Sequence, residues 1–313
     1  MKDESRPTIS VIVPAYNRAQ TLPRAIRSVI AQSFHDWEII IVDDGSSDET
    51  EQVVREWLGP RINYLRHAYN RGPSPARNAG IQAAQGTFVA FLDSDDEWLP
   101  EKLANDIAVF RSHGDDLGLV YSGEFFLDAR GRQVKIVPAI GGRVYDQLLA
   151  RDFIGSCSRV TVRRSALESV GGFDEGLVNE EDWDLWVRIA KAFEIGFVPQ
   201  CLVERHFGPG QITSNLGSLR RIFEGKARVI EKHRSQMPAP VLARHLAVLA
   251  GLLFNYDIPR ARGLALESLR LRISQPRLLS ALVISLFGVN TYRYVFSRWA
   301  GLMHSLYMGR ANV

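Results

Sequence analysis

Along the first part of the chain, short continuous apolar runs alternate with stretches whose apolar residues recur at helical spacing. "TISVIVPAY" (8–16) and "DWEIIIVDDGS" (36–46) each carry a β-branched run that stops at a polar turn. Between them, "RAQTLPRAIRSVIAQ" sets Leu22, Ile26, Val29 and Ile30 at helical spacing. The series repeats: helix "SDETEQVVREWL", strand "INYLRH", helix "SPARNAGIQAAQ", strand "TFVAFLD", helix "PEKLANDIAVFRSH", strand "LGLVYS". Continuous rather than alternating strands are those buried on both faces. The pattern therefore predicts an α/β fold with a mostly parallel sheet covered by helices on each side.

After Tyr121 the pattern loosens. "EFFLDARGRQVKIV" reads as a hairpin with Asp128 to Gly131 in its turn. "GGFDEGLVNEEDWDLWVRIAKAF" regains helical spacing through Leu185, Ile189 and Phe193. From Leu216 nearly everything reads as helix, broken at "MPAP", "DIP" and "QPR". "HLAVLAGLLFNYDIPRARGLALESLRLR" predicts two packed antiparallel helices. The expected organisation is an α/β domain over 1–215 and a helical region over 216–313.

Charge sharpens that division. Residues 216–313 carry 15 Lys and Arg against 4 Asp and Glu, a charge of +11, which leaves −8 for the rest of a chain of net +3. An acidic first part and a basic tail point to different partners, with a solvated set of helix faces as the plain alternative for the tail. The tail's arginines are spaced through apolar helices rather than clustered with aromatics, which argues against nucleic acid. The apolar run between Arg277 and Arg293 falls short of the roughly 20 residues needed to span a bilayer. Two cysteines, Cys157 and Cys201, suit neither a disulfide framework nor a zinc site, and "MKDESRPTIS" lacks the apolar core of a signal peptide. The expected setting is cytoplasmic, in solution or peripheral on the cytoplasmic face of the membrane.

Ligands of such sheets sit at the carboxyl ends of the strands, where this chain puts "PAYN", "DDGSSD" and "DSDD". Asp93, Asp95, Asp96 and Glu97 crowd four carboxylates into five positions. Mn2+ or Mg2+ takes oxygen ligands and needs only one or two carboxylates when phosphates supply the others, while ribose hydroxyls and base N–H groups suit carboxylate acceptors. A solvated turn at a helix start is the plain reading of any one such cluster. "NRGPSPARNAG" adds Arg77 near the same rim as a candidate donor-binding residue, with a structural salt bridge as its plain alternative, and "NEEDWDLW" adds Asp182 beside two tryptophans, whose apolar surroundings suit a general base.

"SVIVPAYN", "IIIVDDGSSD", "NRGPSPARNAG", "FLDSDDEW", "GGFDE" and "EDWDLW", in this order and spacing, resemble the inverting family-two glycosyltransferases of the GT-A fold, over roughly Thr8 to Thr213. The resemblance implies a GT-A nucleotide-binding domain that moves a sugar from a nucleotide-diphosphosugar donor to a hydroxyl of a saccharide or lipid-linked saccharide acceptor, in cell-envelope polysaccharide or glycolipid synthesis. It implies that Pro14, Ala15 and Tyr16 line the base pocket, that Asp44 accepts from the base, and that Asp93 meets the ribose or Arg77. Ser94 belongs to the same donor-binding turn. Asp95 would ligate Mn2+ or Mg2+, with Asp96 as fallback, and His206 in "VERHFGPGQIT" would complete the metal or diphosphate site. Asp182 would deprotonate the acceptor. For His206 the plain alternative is a surface or core-edge histidine.

Two other classes compete. A sugar-nucleotidyltransferase would carry a glycine-rich basic loop after the first strand, where this chain has "VPAYNRAQ". A non-catalytic nucleotide-binding module predicts a missing carboxylate, and none is missing. For the tail, the expected partner is an anionic membrane surface, with a helical cap that packs on the first domain or makes a homodimer as the plain alternative.

Overall fold

The computed structural model describes residues 6–127, 133–137, 139–177, 179–206, 216–254, 257–286 and 288. Strand β1 (Ile9–Ala15), helix α1 (Leu22–Ile30), β2 (Trp37–Asp43), α2 (Thr50–Arg55), β3 (Ile62–Arg66), α3 (Pro73–Ala83) and β4 (Phe88–Phe91) follow the predicted alternation. Strand β1 lies parallel to both β2 and β4, and β3 pairs parallel on the far side of β2. Every residue of β2 is buried, because helices cover both faces. On one face, Leu22, Ala25, Ile26 and Val29 of α1 join Ile9, Val11, Val13, Ile39 and Ile41 in a single core. On the other, α3 approaches so closely that a Cβ on Gly80 would lie 2.5 Å from Ile12 Cγ2. Gly80 is what allows that helix to seat.

The chain continues through β5 (Asp96–Trp98), α4 (Lys102–His113), β6 (Leu117–Leu127), β7 (Gln133–Ile136), α5 (Tyr145–Ala150), β8 (Val160–Arg163), α6 (Arg164–Val170), α7 (Glu181–Ala192) and β9 (Glu194–Arg205). Among the described residues the sheet has nine strands in the order β3-β2-β1-β4-β8-β6-β9-β5, with β7 on β6. It is parallel from β3 to β4 and mixed beyond. Strand β8 runs antiparallel to β4 and β6, while β6 and β9 are parallel and β5 is antiparallel to β9. The β6 and β7 strands pair as a hairpin would, Phe125 opposite Lys135, but its turn at Asp128 to Gly131 lies outside the described residues.

Beneath the β4–β5 junction, Lys102 and Asp106 form a fully buried ion pair. Asp106 also accepts from Thr161 Oγ1 at 2.6 Å, and the Lys102 ammonium sits 5.3 Å from the centre of the Trp98 ring. This pair ties α4 to β8 and to the strand that leaves the acidic turn.

The chain divides into two units, Met1–Ser214 and Asn215–Val313. The second contains α8 (Leu216–His233), α9 (Ala239–Leu253), α10 (Ile258–Leu271) and α11 (Pro276–Ser285). The prolines that break the helical pattern stand in the first turns of α9, α10 and α11, where a missing N–H costs nothing. Ser268, late in α10, donates to the carbonyl of Ala243, early in α9, at 2.6 Å, as expected for antiparallel helices. The last stretch of the apolar run before Arg293 lies outside the described residues. Among those described, no helix is long and apolar enough to cross a membrane.

Candidate active site

The carboxyl-end loops of β1 and β2 are stitched together. Asn17 donates its N–H to Ser46 Oγ at 2.9 Å and accepts from the Ser47 N–H at 2.9 Å, while the Arg18 N–H reaches Thr50 Oγ1 at 2.8 Å. Asn17 takes a left-handed conformation, φ 53°, which short polar side chains tolerate when they bond locally. Pro14 and Ala15 complete β1, and the turn leaves Tyr16 44% exposed at the rim.

Asp43 and Asp44 end β2 with different surroundings. Asp43 holds its own turn, accepting from the Ser46 N–H at 2.8 Å and from the Tyr64 hydroxyl at 2.7 Å. Burial, followed by the Asp43 carboxylate, pushes the Tyr64 phenol well above its ordinary value. Asp44 accepts from the backbone N–H groups of Arg71, at 3.0 Å to each oxygen, and Gly72, at 2.6 Å, and pairs with His67 Nδ1 at 2.7 Å. These three donors take up most of the acceptor capacity of a carboxylate, so Asp44 shapes the 67–72 loop, and a base N–H would compete with them.

The "DSDD" turn is pinned from below by Ser158. Its Oγ accepts from the Asp93 N–H at 3.0 Å and donates to Asp96 Oδ2 at 2.6 Å, while its carbonyl accepts from Trp98 Nε1 at 2.7 Å. Ser94 is buried within the turn. Asp96 is buried too, and burial followed by repulsion from Asp93 raises its pKa well above the carboxylate range. Asp95 is more open. Burial and then Asp93 raise its pKa, opposed by Arg18, whose Nη2 lies 3.7 Å from Asp95 Oδ2. Arg24 donates to the Asp95 carbonyl at 2.5 Å. Crowded carboxylate oxygens of this kind are relieved by a cation, so the donor set fits a divalent metal.

Arg77, on α3, joins this turn to α7. Its Nη2 donates to Asp93 Oδ1 at 2.8 Å and its Nη1 to Glu181 Oε1 at 3.0 Å, with the guanidinium 5.3 Å from the centre of the Phe173 ring. Burial works against its charge, but the neighbouring acidic groups more than offset that and raise its pKa. The motifs lock to one another around it. Asn78 donates to the Phe173 carbonyl and to Glu175 and accepts from the Phe173 N–H. Gly172 has φ 71°, and a Cβ there would meet Asn78 Oδ1 at 2.8 Å. Arg188 of α7 bonds Asp184 and the carbonyls of Val170 and Gly172.

Asp182 lies in the first turn of α7, where exposed N–H groups favour carboxylates. Glu180, immediately before the helix, is left-handed with φ 63°, a conformation that costs a non-glycine residue roughly 1–3 kcal/mol and clusters at functional sites. Trp183 Nε1 anchors the helix to the Leu148 carbonyl at 2.7 Å and Trp186 Nε1 to that of Gly155 at 3.2 Å. Asp182 Oδ1 accepts from the Trp183 N–H at 2.8 Å. Burial, then Glu181 and Asp152, push its pKa well above the carboxylate range, which strengthens it as a proton acceptor.

His206 follows β9, across from the acidic turn. Antiparallel register sets Asp96 opposite Arg205 and Glu97 opposite Glu204. His206 Nε2 lies 3.4 Å from Glu97 Oε2, and Glu97, Glu204 and His206 offer ligand atoms within 4.8 Å of one another. Sequence reasoning did not find Glu97 or Glu204 as neighbours of His206, since nothing in the pattern announced that β5 and β9 pair. Cys157 was also missed. It is buried, its pKa is pushed well up by burial, and it senses the charges of Arg77, Asp182, Asp93 and Glu181.

Comparison with known proteins extends these observations. The chain is 34% identical over 195 residues to the Escherichia coli UDP-Glc:alpha-D-GlcNAc-diphosphoundecaprenol beta-1,3-glucosyltransferase WfgD, covering 61% of this chain and 74% of that one. The fold is that of S. aureus TarS 1–349 in complex with UDP-GlcNAc, with a TM-score of 0.65 at 21% identity over 94% of this chain and 92% of that chain. It is also that of the mannosyltransferase PcManGT from Pyrobaculum calidifontis in complex with GDP-Man and Mn2+, with a TM-score of 0.59 at 18% identity over 94% and 86%. The fold is therefore of GT-A type, followed by helices. Residues 10–171 match the family described as Glycosyl transferase family 2, and with more than half of its length so matched the chain is a glycosyltransferase that belongs to that family.

Proposed function

We propose that this glycosyltransferase is metal-dependent and inverting, and that it moves a sugar from a nucleotide-diphosphosugar to a hydroxyl of a lipid-linked saccharide in cell-envelope polysaccharide or glycolipid synthesis. The observation that carries this reading is the Arg77 bridge, which draws the "DSDD" turn and the first turn of α7 onto one guanidinium. A donor seated on the turn and an acceptor seated at α7 then share one space.

In this reading the base stacks at Tyr16 along Pro14 and Ala15. Its N–H exchanges for one of the Asp44 contacts, and the ribose meets Asp93 and the backbone at Ser94. Asp95 and His206 hold Mn2+ or Mg2+, which when bound supplies charge neutralisation to the diphosphate. Asp182 takes the proton of the acceptor hydroxyl as its oxygen attacks the anomeric carbon. The bond to the diphosphate oxygen breaks on the opposite side, the nucleoside diphosphate leaves, and the configuration inverts.

The acceptor class is supported by the lipid-linked substrate named for the E. coli relative, and the donor class by the nucleotide sugars bound in the two structural neighbours. Two free cysteines suit a reducing, cytoplasmic face. The test is a screen of UDP-, GDP- and dTDP-sugars with Mn2+ and a polyisoprenyl-diphosphate sugar acceptor, with the product anomer read by NMR. Transfer with inversion is expected. Retention of configuration, or release of diphosphate from a nucleoside triphosphate, would overturn the reading.

A further inference from the structure

We propose that α10, α11 and the segment joining them form a docking surface for an anionic lipid bilayer. Leu279, Val283 and Leu286 recur at i, i+4 and i+7, and they are 43%, 57% and 68% exposed. Leu278 and Ser285, on the other side of α11, are buried, so the helix is already seated and this stripe is what it leaves outside. In the joining segment Ile273 is 81% exposed, and Leu266 of α10 is also exposed. Isolated exposed apolar residues are ordinary, but a helical stripe continued by a protruding isoleucine is a surface that water disfavours.

The charges around the stripe identify the occupant. Arg270, Arg272 and Arg277 are all exposed around the segment that joins α10 to α11, and among the described residues none of the three pairs with a carboxylate. The acidic residue of α10, Glu267, is taken by Arg234, and Arg262 is held by Ser285. Unpaired arginines next to apolar side chains match a bilayer with anionic headgroups, since their stems lie along acyl chains while the guanidinium groups stay at phosphate level. A second copy of the chain fits less well. A two-fold contact through this face would bring together two patches that carry the same uncompensated positive charge. No described helix can span a bilayer, so the contact is peripheral.

Flotation of the full chain with vesicles, without divalent cations, tests this. Phosphatidylcholine vesicles containing phosphatidylglycerol should carry the protein upward at low salt and release it as salt rises, and pure phosphatidylcholine should not. R270Q/R272Q/R277Q should lower the partition coefficient on the order of a hundredfold, each basic residue contributing a factor of about five. L279S/V283S/L286S should leave only weak, salt-labile binding. Each variant must keep wild-type circular dichroism, melting temperature and nucleotide affinity, which reports on the first unit separately. Equal flotation with both lipids, no flotation at low salt, or a wild-type dimer that becomes monomeric in L279S/V283S/L286S without any vesicle binding would overturn the proposal.

Discussion

Arg77 reaches Glu181 at 3.0 Å although the two stand 104 positions apart in sequence, and the same guanidinium holds Asp93 at 2.8 Å. All three are at least partly withdrawn from solvent, so the bridge is worth more than a surface pair. It also fixes the distance between the two carboxylate-bearing turns.

Arg77→Lys should separate those two effects. A lysine keeps the charge but lacks the fork that engages both carboxylates. We expect nucleotide affinity within about threefold of wild type and a fall of roughly a hundredfold in kcat, the cost of about an ångström of misplacement. Calorimetry with UDP or GDP and single-turnover transfer measure the two. Arg77→Ala should also destabilise the fold by about 3 kcal/mol, because it strands Asp93 and Glu181. Unchanged kcat in Arg77→Lys would mean that the bridge does not position the chemistry.

Removing Asp95 should abolish metal-dependent nucleotide binding. The expected result is loss of at least a tenfold Mn2+ enhancement of UDP or GDP affinity in Asp95→Ala and in EDTA, with a smaller loss in His206→Ala. Nucleotide affinity indifferent to Mn2+ and to both substitutions would leave the turn without a metal.

Much of the first unit could be read in the sequence because its signals are local. The fully buried runs of β1 and β2 announced a covered sheet, and turn residues marked where each strand stops. What could not be read was long-range pairing. Strand β5 is three residues long and starts inside the acidic turn, so its carboxylates hid it. Strand β9 contains Gly196 and Pro199 and shifts register against β6 near Gly123, which erases any clean alternation. The neighbourhood of His206 depends on both strands, and so Glu97 and Glu204 escaped notice. Asp44 shows a different limit. Its position at a strand end was legible, but the donors that fill it, His67, Arg71 and Gly72, come from a loop whose return to the rim is a tertiary fact.

Lys102→Met and Asp106→Asn should each cost more stability than removal of the pair together. Either single change leaves a buried partner unsatisfied, with an expected loss of about 3–5 kcal/mol, while Lys102→Met/Asp106→Leu should recover a good part of it. Urea unfolding of the three variants measures this. A double variant less stable than both singles would show that the ion pair itself stabilises the junction.

Stability should also respond to pH through Asp182. A carboxyl whose folded pKa is raised binds its proton more tightly in the native state than in the unfolded one. Its contribution is therefore favourable in acid and is lost as pH rises from the unfolded value, about 3.9, through the raised one. Asp182→Asn cannot ionise. Its melting temperature should match wild type in acid and exceed it increasingly toward neutral pH. An unchanging difference across that window would mean that Asp182 is not held in a charge-disfavouring site.

The most direct test of the account is the paired measurement of donor binding and transfer in Asp182→Asn. The substitution is nearly isosteric and removes only the capacity to take a proton, which is worth typically 10²–10⁴ in rate. Asp182→Asn should keep a nucleotide-sugar Kd within about twofold of wild type, lower kcat by at least about a hundredfold, and lack the acid limb expected of the wild-type rate above the ordinary carboxylate range. Near-normal turnover with the acid limb intact would contradict the account and move the base elsewhere.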